Sequence, residues 1–125
     1  MKLRIKGNSI RLRLSQSEVS GFAQDAVVED LIAFGSRRLS YALLRLNEAE
    51  EICARFENDR IEIIVPAATA DEWTRTAQIG FGAEQNLPDG ETLKILVEKD
   101  FACLTEREGE DETDAFPHPQ TGQAC

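Results

Sequence analysis

The chain has 125 residues, 42% apolar and 30% charged, and its 23 acidic against 14 basic residues give a net charge of -9. That is material for one hydrophobic core plus a tail, and a pI near 4.6 disfavours general adhesion to nucleic acid or membrane. No apolar run approaches the roughly 18 residues of a spanning helix, and the start alternates charge and apolar residue, unlike a secretory signal, so a cytoplasmic location is expected.

Lys2 to Lys6 and Ser9 to Arg13 read as a β-hairpin about Gly7-Asn8, a pair that tolerates the positive φ of a tight turn. The register then sets Ile5 opposite Ile10, Arg4 opposite Arg11, Leu3 opposite Leu12 and Lys2 opposite Arg13. Because side chains alternate across a strand, Leu3, Ile5, Ile10 and Leu12 share an apolar face. Lys2, Arg4, Arg11 and Arg13 share the other face, where directly opposed like charges destabilise. An anion is therefore expected nearby. It comes from elsewhere in the chain, with Glu29, Asp30, Glu98 and Asp100 available on neighbouring strands, from solvent ions or from a ligand.

Ser15-Gln16-Ser17-Glu18 is a capping box, with Leu14 and Val19 as its staple, and it opens a short helix ending near Asp25 with a stripe of Val19, Phe22 and Ala23. Strands are expected at Val27 to Phe34 and Leu39 to Leu46, separated by Gly35-Ser36-Arg37-Arg38. A second hairpin follows, Ile52 to Glu57 with Arg60 to Val65 around Asn58-Asp59. Thr69-Ala70-Asp71-Glu72 reads as a second capping box, 54 residues after the first, with Trp73 at the staple position. Gln78 to Gly82 reads as a brief strand, Asn86 to Gly90 as a turn, and Thr92 to Phe101 as the last strand.

The elements imply a duplicated ββαββ unit. The fold class expected is α+β over residues 1–104, with mostly antiparallel strands and two short helices, closed as a barrel or stacked as sheet and helix. In the second hairpin Glu57 faces Arg60 and Arg55 faces Glu62, so its charges are complementary. The first hairpin lacks that balance. Residues 105–125 are acidic and hold one large apolar residue, Phe116, so disorder is expected when they are alone. Phe116-Pro117 is an apolar anchor by which that tail can lie across the basic hairpin.

Few residues suit catalysis. The three cysteines, Cys53, Cys103 and Cys125, are widely spaced, and His118 is the only histidine, so neither a disulfide framework nor a metal site or other cofactor is expected. No triad assembles around a histidine set between tail prolines. Gly80 and Gly82 lack the third glycine and the helix of a pyrophosphate loop and read as a flexible strand or bulge. Cys53 and Cys103 read as buried packing residues, and Trp73 and Phe22 as core.

Two resemblances arise from these residues. The opening KLRIKGNSIRLRLSQSEV, with EKDFACL and the Asp-Ala-Phe-Pro of the tail, resembles a family of small uncharacterised bacterial proteins, which implies no activity. The duplicated unit with basic strands is similar to the CYTH-like superfamily, which implies a barrel around a triphosphate and likens Arg11, Arg13, Arg45, Arg55 and Lys94 to its basic strand residues. That superfamily opens with Glu-x-Glu-x-Lys, whereas this chain opens Lys2-x-Arg4-x-Lys6, which removes the metal-holding acids; Glu57, Glu62 and Glu98 serve as ligands only if they converge. The leading expectation is a non-catalytic binding module that uses Lys2, Arg4, Arg11 and Arg13 to hold an acidic protein segment or its own tail. The alternative is a phosphate- or triphosphate-binding protein, including a hydrolase.

Overall fold

A computed structural model describes residues 1–102 and 113–117. The elements are β1 (Lys2–Ile5), β2 (Ser9–Leu14), α1 (Gln16–Asp25), β3 (Val27–Ala33) and β4 (Arg38–Leu46), then β5 (Cys53–Glu57), β6 (Arg60–Pro66), α2 (Ala67–Arg75), β7 (Gly80–Asn86) and β8 (Thr92–Lys99). They form two four-stranded sheets, ordered β1-β2-β8-β7 and β3-β4-β6-β5. The α+β class and the ββαββ-ββαββ order hold, and among the described residues the strands do not close into a barrel. Four strand pairs are antiparallel hairpins, but the central pairs β2-β8 and β4-β6 are parallel.

Each sheet thus takes one hairpin from each half of the chain, and the halves are related by an approximate two-fold exchange. Arg4 opposes Arg11 as Arg55 opposes Glu62, a shift of 51 residues. Backbone bonds repeat as well: Ser40 N–H donates to Asp59 O at 3.0 Å and Lys94 N–H to Asn8 O at 3.1 Å, while Arg45 N–H reaches Ala26 O and Lys99 N–H reaches Ile79 O, both at 3.0 Å. The first hairpin has the expected register throughout, and the second pairs Glu57 with Arg60 and Arg55 with Glu62 as expected. Asn58 and Asp59 adopt φ of 53° and 58°, the left-handed pair that a two-residue turn needs.

Helix α1 starts as its sequence dictates. Ser15 caps it, Glu18 returns a hydrogen bond to the Ser15 amide, and Ala26 ends it in the left-handed region at φ 64°. Val19 and Phe22 are buried, whereas Ala23 is exposed and lies outside the stripe. Helix α2 corrects the sequence reading: it begins at Ala67, two residues before Thr69, with Pro66 as a cap that makes no side-chain hydrogen bond. The shift of 51 places Pro66, not Thr69, at the position of Ser15. The alanines that follow it favour helix, so the turn forms directly from the end of β6.

The core lies between the sheets and is closed at one end by the helices. Leu12, Leu14, Ile95 and Val97 of one sheet face Leu43, Ile63 and Val65 of the other, and Phe22 and Trp73 fill the space at 0% exposure. Trp73 meets Phe22 and Phe81 edge to face, with centroids 6.2 and 5.2 Å apart. Its indole N–H donates to Ile79 O at 3.0 Å, so the ring is buried without an orphaned donor.

Within the tail, Thr113–Pro117 pack on the domain. Phe116 N–H donates to Asp100 O at 2.7 Å and its carbonyl accepts from Ala102 N–H at 2.6 Å, with its ring 5.7 Å from that of Phe101. Asp114 meets the start of α1, where its carbonyl accepts from Gln16 N–H at 2.9 Å and its carboxylate from the Ser17 hydroxyl and amide. Those bonds, the Ser17 hydroxyl first, hold the Asp114 carboxyl below its usual range. The reach of the remaining tail across the basic hairpin, with His118, Cys103 and Cys125, lies outside the described residues.

The strand expected at Gln78 to Gly82 is instead Gly80–Asn86, paired without a bulge from Gly80↔Glu98 to Asn86↔Thr92. Gly80 and Gly82 are not flexible links. A Cβ at Gly80 would stand 2.5 Å from Val97 O and 2.8 Å from Glu98 Cγ, and one at Gly82 would stand 2.6 Å from Ile95 O. Gly80→Ala is therefore expected to destabilise by about 1–3 kcal/mol through overpacking. Gly21→Ala, in α1 with nothing within 4 Å of the new carbon, should stabilise by up to about 1 kcal/mol. Thermal unfolding of the two variants beside the parent checks the opposite signs.

Candidate functional site

Strand pairing sets the outer face of the β1-β2-β8-β7 sheet in three rows. The rows read Lys2, Arg13, Glu98 and Gly80; then Arg4, Arg11, Leu96 and Gly82; then Lys6, Ser9, Lys94 and Glu84. Six cations thus share one face with two carboxylates, on a chain whose net charge is -9. The four residues singled out by sequence, Lys2, Arg4, Arg11 and Arg13, do lie together there. Lys6 and Lys94 join them. Lys6 stands beside the turn, opposite Ser9, and Lys94 is adjacent only because β8 lies parallel to β2, a long-range pairing with no local sequence signal.

Part of this charge is answered within the domain, as the neighbouring-acid alternative expects. Arg11 Nε donates to Glu98, and Lys2 Nζ lies 2.9 Å from Asp100. Glu29 and Asp30 answer other groups instead, Arg60 and the Met1 ammonium, and Met1 also binds Glu18. Burial alone would lower the Met1 ammonium, but its bonds to Glu18 and Asp30 leave it raised. Arg13 is half-buried in the row between Lys2 and Glu98.

Arg4, Lys6 and Lys94 are different. All three are exposed, and among the described residues no carboxylate lies within ion-pair distance of any of them. Together with Arg11 they line an open groove of about 500 Å³, whose floor includes Ile10, Gly82 and Leu96 and whose only acidic lining residue is Glu84. Gly82 contributes no side chain, so the groove stays open toward β7.

The equivalent face of the other sheet shows what neutralisation looks like. Glu62 accepts from Arg55 at 2.7 Å and Arg60 at 2.9 Å, and Arg60 also binds Glu29. Those bonds, from Arg60 first and Arg55 next, hold the Glu62 carboxyl below its usual range. The register that puts Lys6 and Arg11 on the first hairpin puts Glu57 and Glu62 at the equivalent places on the second, so two changes of sign help to separate a basic face from a balanced one.

The basic residues likened to a triphosphate tunnel do not converge. Arg45 reaches Asp71 at 3.4 Å and Arg55 reaches Glu62, both away from Lys94. Glu57 and Glu62 stand on one sheet and Glu98 on the other, so these acids do not meet either. Among the described residues no group of three or more His, Cys, Asp or Glu side chains is placed to hold a metal ion. Cys53 is a half-buried free thiol on the edge strand β5. A second opening of about 410 Å³ lies between the sheets at the hairpin-tip end and is apolar, lined by Ile10, Leu39, Phe56, Ile61 and Leu93. No helix among the described residues is long and apolar enough to cross a membrane.

The fold and site define a two-sheet α+β protein with a swapped hairpin in each sheet and one basic sheet face. Residues 1–120 match DUF7009, a family of unknown function, and the chain belongs to it. No curated protein and no solved structure matches the chain.

One further cation escaped the sequence reading. Lys99 is 6% exposed, donates to Thr76 O at 2.7 Å, and lies 6.0 Å from the Trp73 ring and 5.6 Å from that of Phe116. Desolvation lowers its pKa below the ordinary 10.5. The folded state then binds fewer protons than the unfolded chain between the lowered value and 10.5, so stability rises with pH across that window and carries the full penalty below it. Lys99→Met is expected to raise the melting temperature at neutral pH, with an advantage over the parent that shrinks as the pH climbs toward 10.5. Melting of both proteins as a function of pH measures that difference.

Proposed function

We propose that the protein is a non-catalytic binding module whose basic sheet face holds an acidic protein segment. The observation that carries this reading is the set of Arg4, Lys6 and Lys94, exposed around one open groove beside Arg11 with no ion pair among the described residues and Glu84 as the one acid in the lining. Guanidinium and ammonium groups at that spacing give carboxylates charge-assisted hydrogen bonds. Leu96 on the groove floor offers apolar contact to the stems of the bound side chains.

The charges are spread over three adjacent strands on the outside of a sheet, which suits an extended segment better than one compact triphosphate. A net charge of -9 repels long polyanions, which weighs against nucleic acid.

The test is titration of the full chain with a labelled oligoglutamate peptide at low and moderate salt. Binding should weaken as salt rises, and Arg4→Ala with Lys94→Ala should weaken it at least about tenfold, roughly 1.4 kcal/mol. Tripolyphosphate should compete poorly. Binding unchanged by the double substitution would remove the groove from the reading, and tight, competitive binding of tripolyphosphate would transfer it to a phosphate ligand.

A further inference from the structure

The two halves of the fold differ at a second place, the edge strands β3 and β7, which occupy equivalent positions in their sheets. β7 reads GFGAEQN; Phe81 is buried, and Gln85 uses its amide to bond both Ala54 N–H, at 2.7 Å, and Ala54 O, at 3.1 Å. That edge is polar and tied to its neighbour. β3 reads VVEDLIA and is followed by Phe34. Of the eight large apolar side chains exposed among the described residues, four fall here: Val27, Leu31, Ile32 and Phe34, the last three at 53%, 48% and 67%. A long, exposed, apolar edge strand is the element that proteins ordinarily shield.

Its backbone is unpaired on the outer side. Arg45 N–H points toward β3 and bonds Ala26 O, whereas Ser40 N–H points toward β6 and bonds Asp59 O. Alternation then directs the odd-numbered residues of β4 toward β3. Their partners Val28, Asp30 and Ile32 point inward, so Glu29, Leu31 and Ala33 present their N–H and C=O groups to the free edge. Among the described residues those three amides donate no hydrogen bond.

We propose that this edge pairs with the same edge of a second copy, antiparallel and centred on Leu31, to make one continuous eight-stranded sheet. The symmetric register sets Leu31 on Leu31 and lets Glu29 and Ala33 exchange both backbone bonds. It also places Val28 opposite Phe34 and Asp30 opposite Ile32. Every residue from 28 to 34 gains a partner, and no acid faces an acid, whereas centring on Asp30 would oppose two carboxylates.

Charge supports the same register. Ala33 stands laterally opposite Arg38 in its own sheet, so the row reads Glu29 of one copy, then Ala33 and Arg38 of the other. A one-carbon side chain separates an exposed acid, already bound by Arg60 of its own copy, from a second exposed guanidinium long enough to reach it. The contact is isologous and closes at two copies. It lies on the opposite sheet from the basic groove and leaves that groove open.

Sedimentation velocity and light scattering on the full chain test the proposal. The parent protein should be a dimer up to high-micromolar concentration. The Leu31→Lys variant should be a monomer with unchanged circular dichroism, because Leu31 is exposed in the single domain. Under mild oxidant, Leu31→Cys should cross-link into a covalent dimer beyond the level of the parent, while Leu96→Cys, exposed on the other sheet, should not. A parent protein that is monomeric throughout would overturn the assignment, as would a Leu31→Lys variant that remains a dimer.

Discussion

The parallel pairings of β2 with β8 and of β4 with β6 are the constraint on which the rest of the structure depends. Each half of the chain makes two hairpins and a helix, but the hairpins go to different sheets, so neither half can complete a sheet from its own strands. A parallel pair cannot be joined by a tight turn and needs a long crossover. Here the crossovers contain everything between β2 and β8 and between β4 and β6. The order of ladders is therefore non-local, which in general slows folding relative to hairpins alone.

The helices are consistent with that plan. α1 leaves β2 and α2 leaves β6, at the same end of their respective sheets, so Phe22 and Trp73 enter the core as equivalents and meet edge to face. The rest of the core follows from strand alternation, since inward residues of both central strands are large and apolar. Trp73 then binds its indole N–H to Ile79 O, just before β7 begins, which couples the helix to the strand that carries the two close-packed glycines.

Near-symmetry makes the departures from symmetry informative. Arg11 and Glu62 occupy equivalent positions, as do Lys6 and Glu57, and those changes of sign contribute to the difference between a predominantly basic sheet face and one whose ion pairs close on themselves. Surface pairs of this kind add little stability singly. Their effect is on the potential over the face, and an acidic chain that keeps a basic patch gains local attraction for anions that its total charge would otherwise repel. The edge strands differ as well: β7 is tied through Gln85 to Ala54 of the other sheet, and exposed apolar residues mark β3.

Local chemistry made much of this legible from residues alone. Gly7-Asn8 and Asn58-Asp59 set two hairpin registers because only tight turns with positive φ suit them, and register fixes which side chains share a face. Ser15 and Glu18 marked the start of α1, and the alternation of Lys2, Arg4, Arg11 and Arg13 marked a basic face. The same local reasoning misplaced α2, since Thr69-Ala70-Asp71-Glu72 satisfies the capping pattern while the chain turns helical at Ala67. What tertiary structure decided was adjacency. Lys94 beside the basic hairpin, Glu98 and Asp100 as its partners, glycines forced by β8 and the exposed side of β3 all depend on which strands lie next to one another. Parallel pairing across most of the chain is governed by burial in a shared core, to which no short stretch of sequence is sensitive.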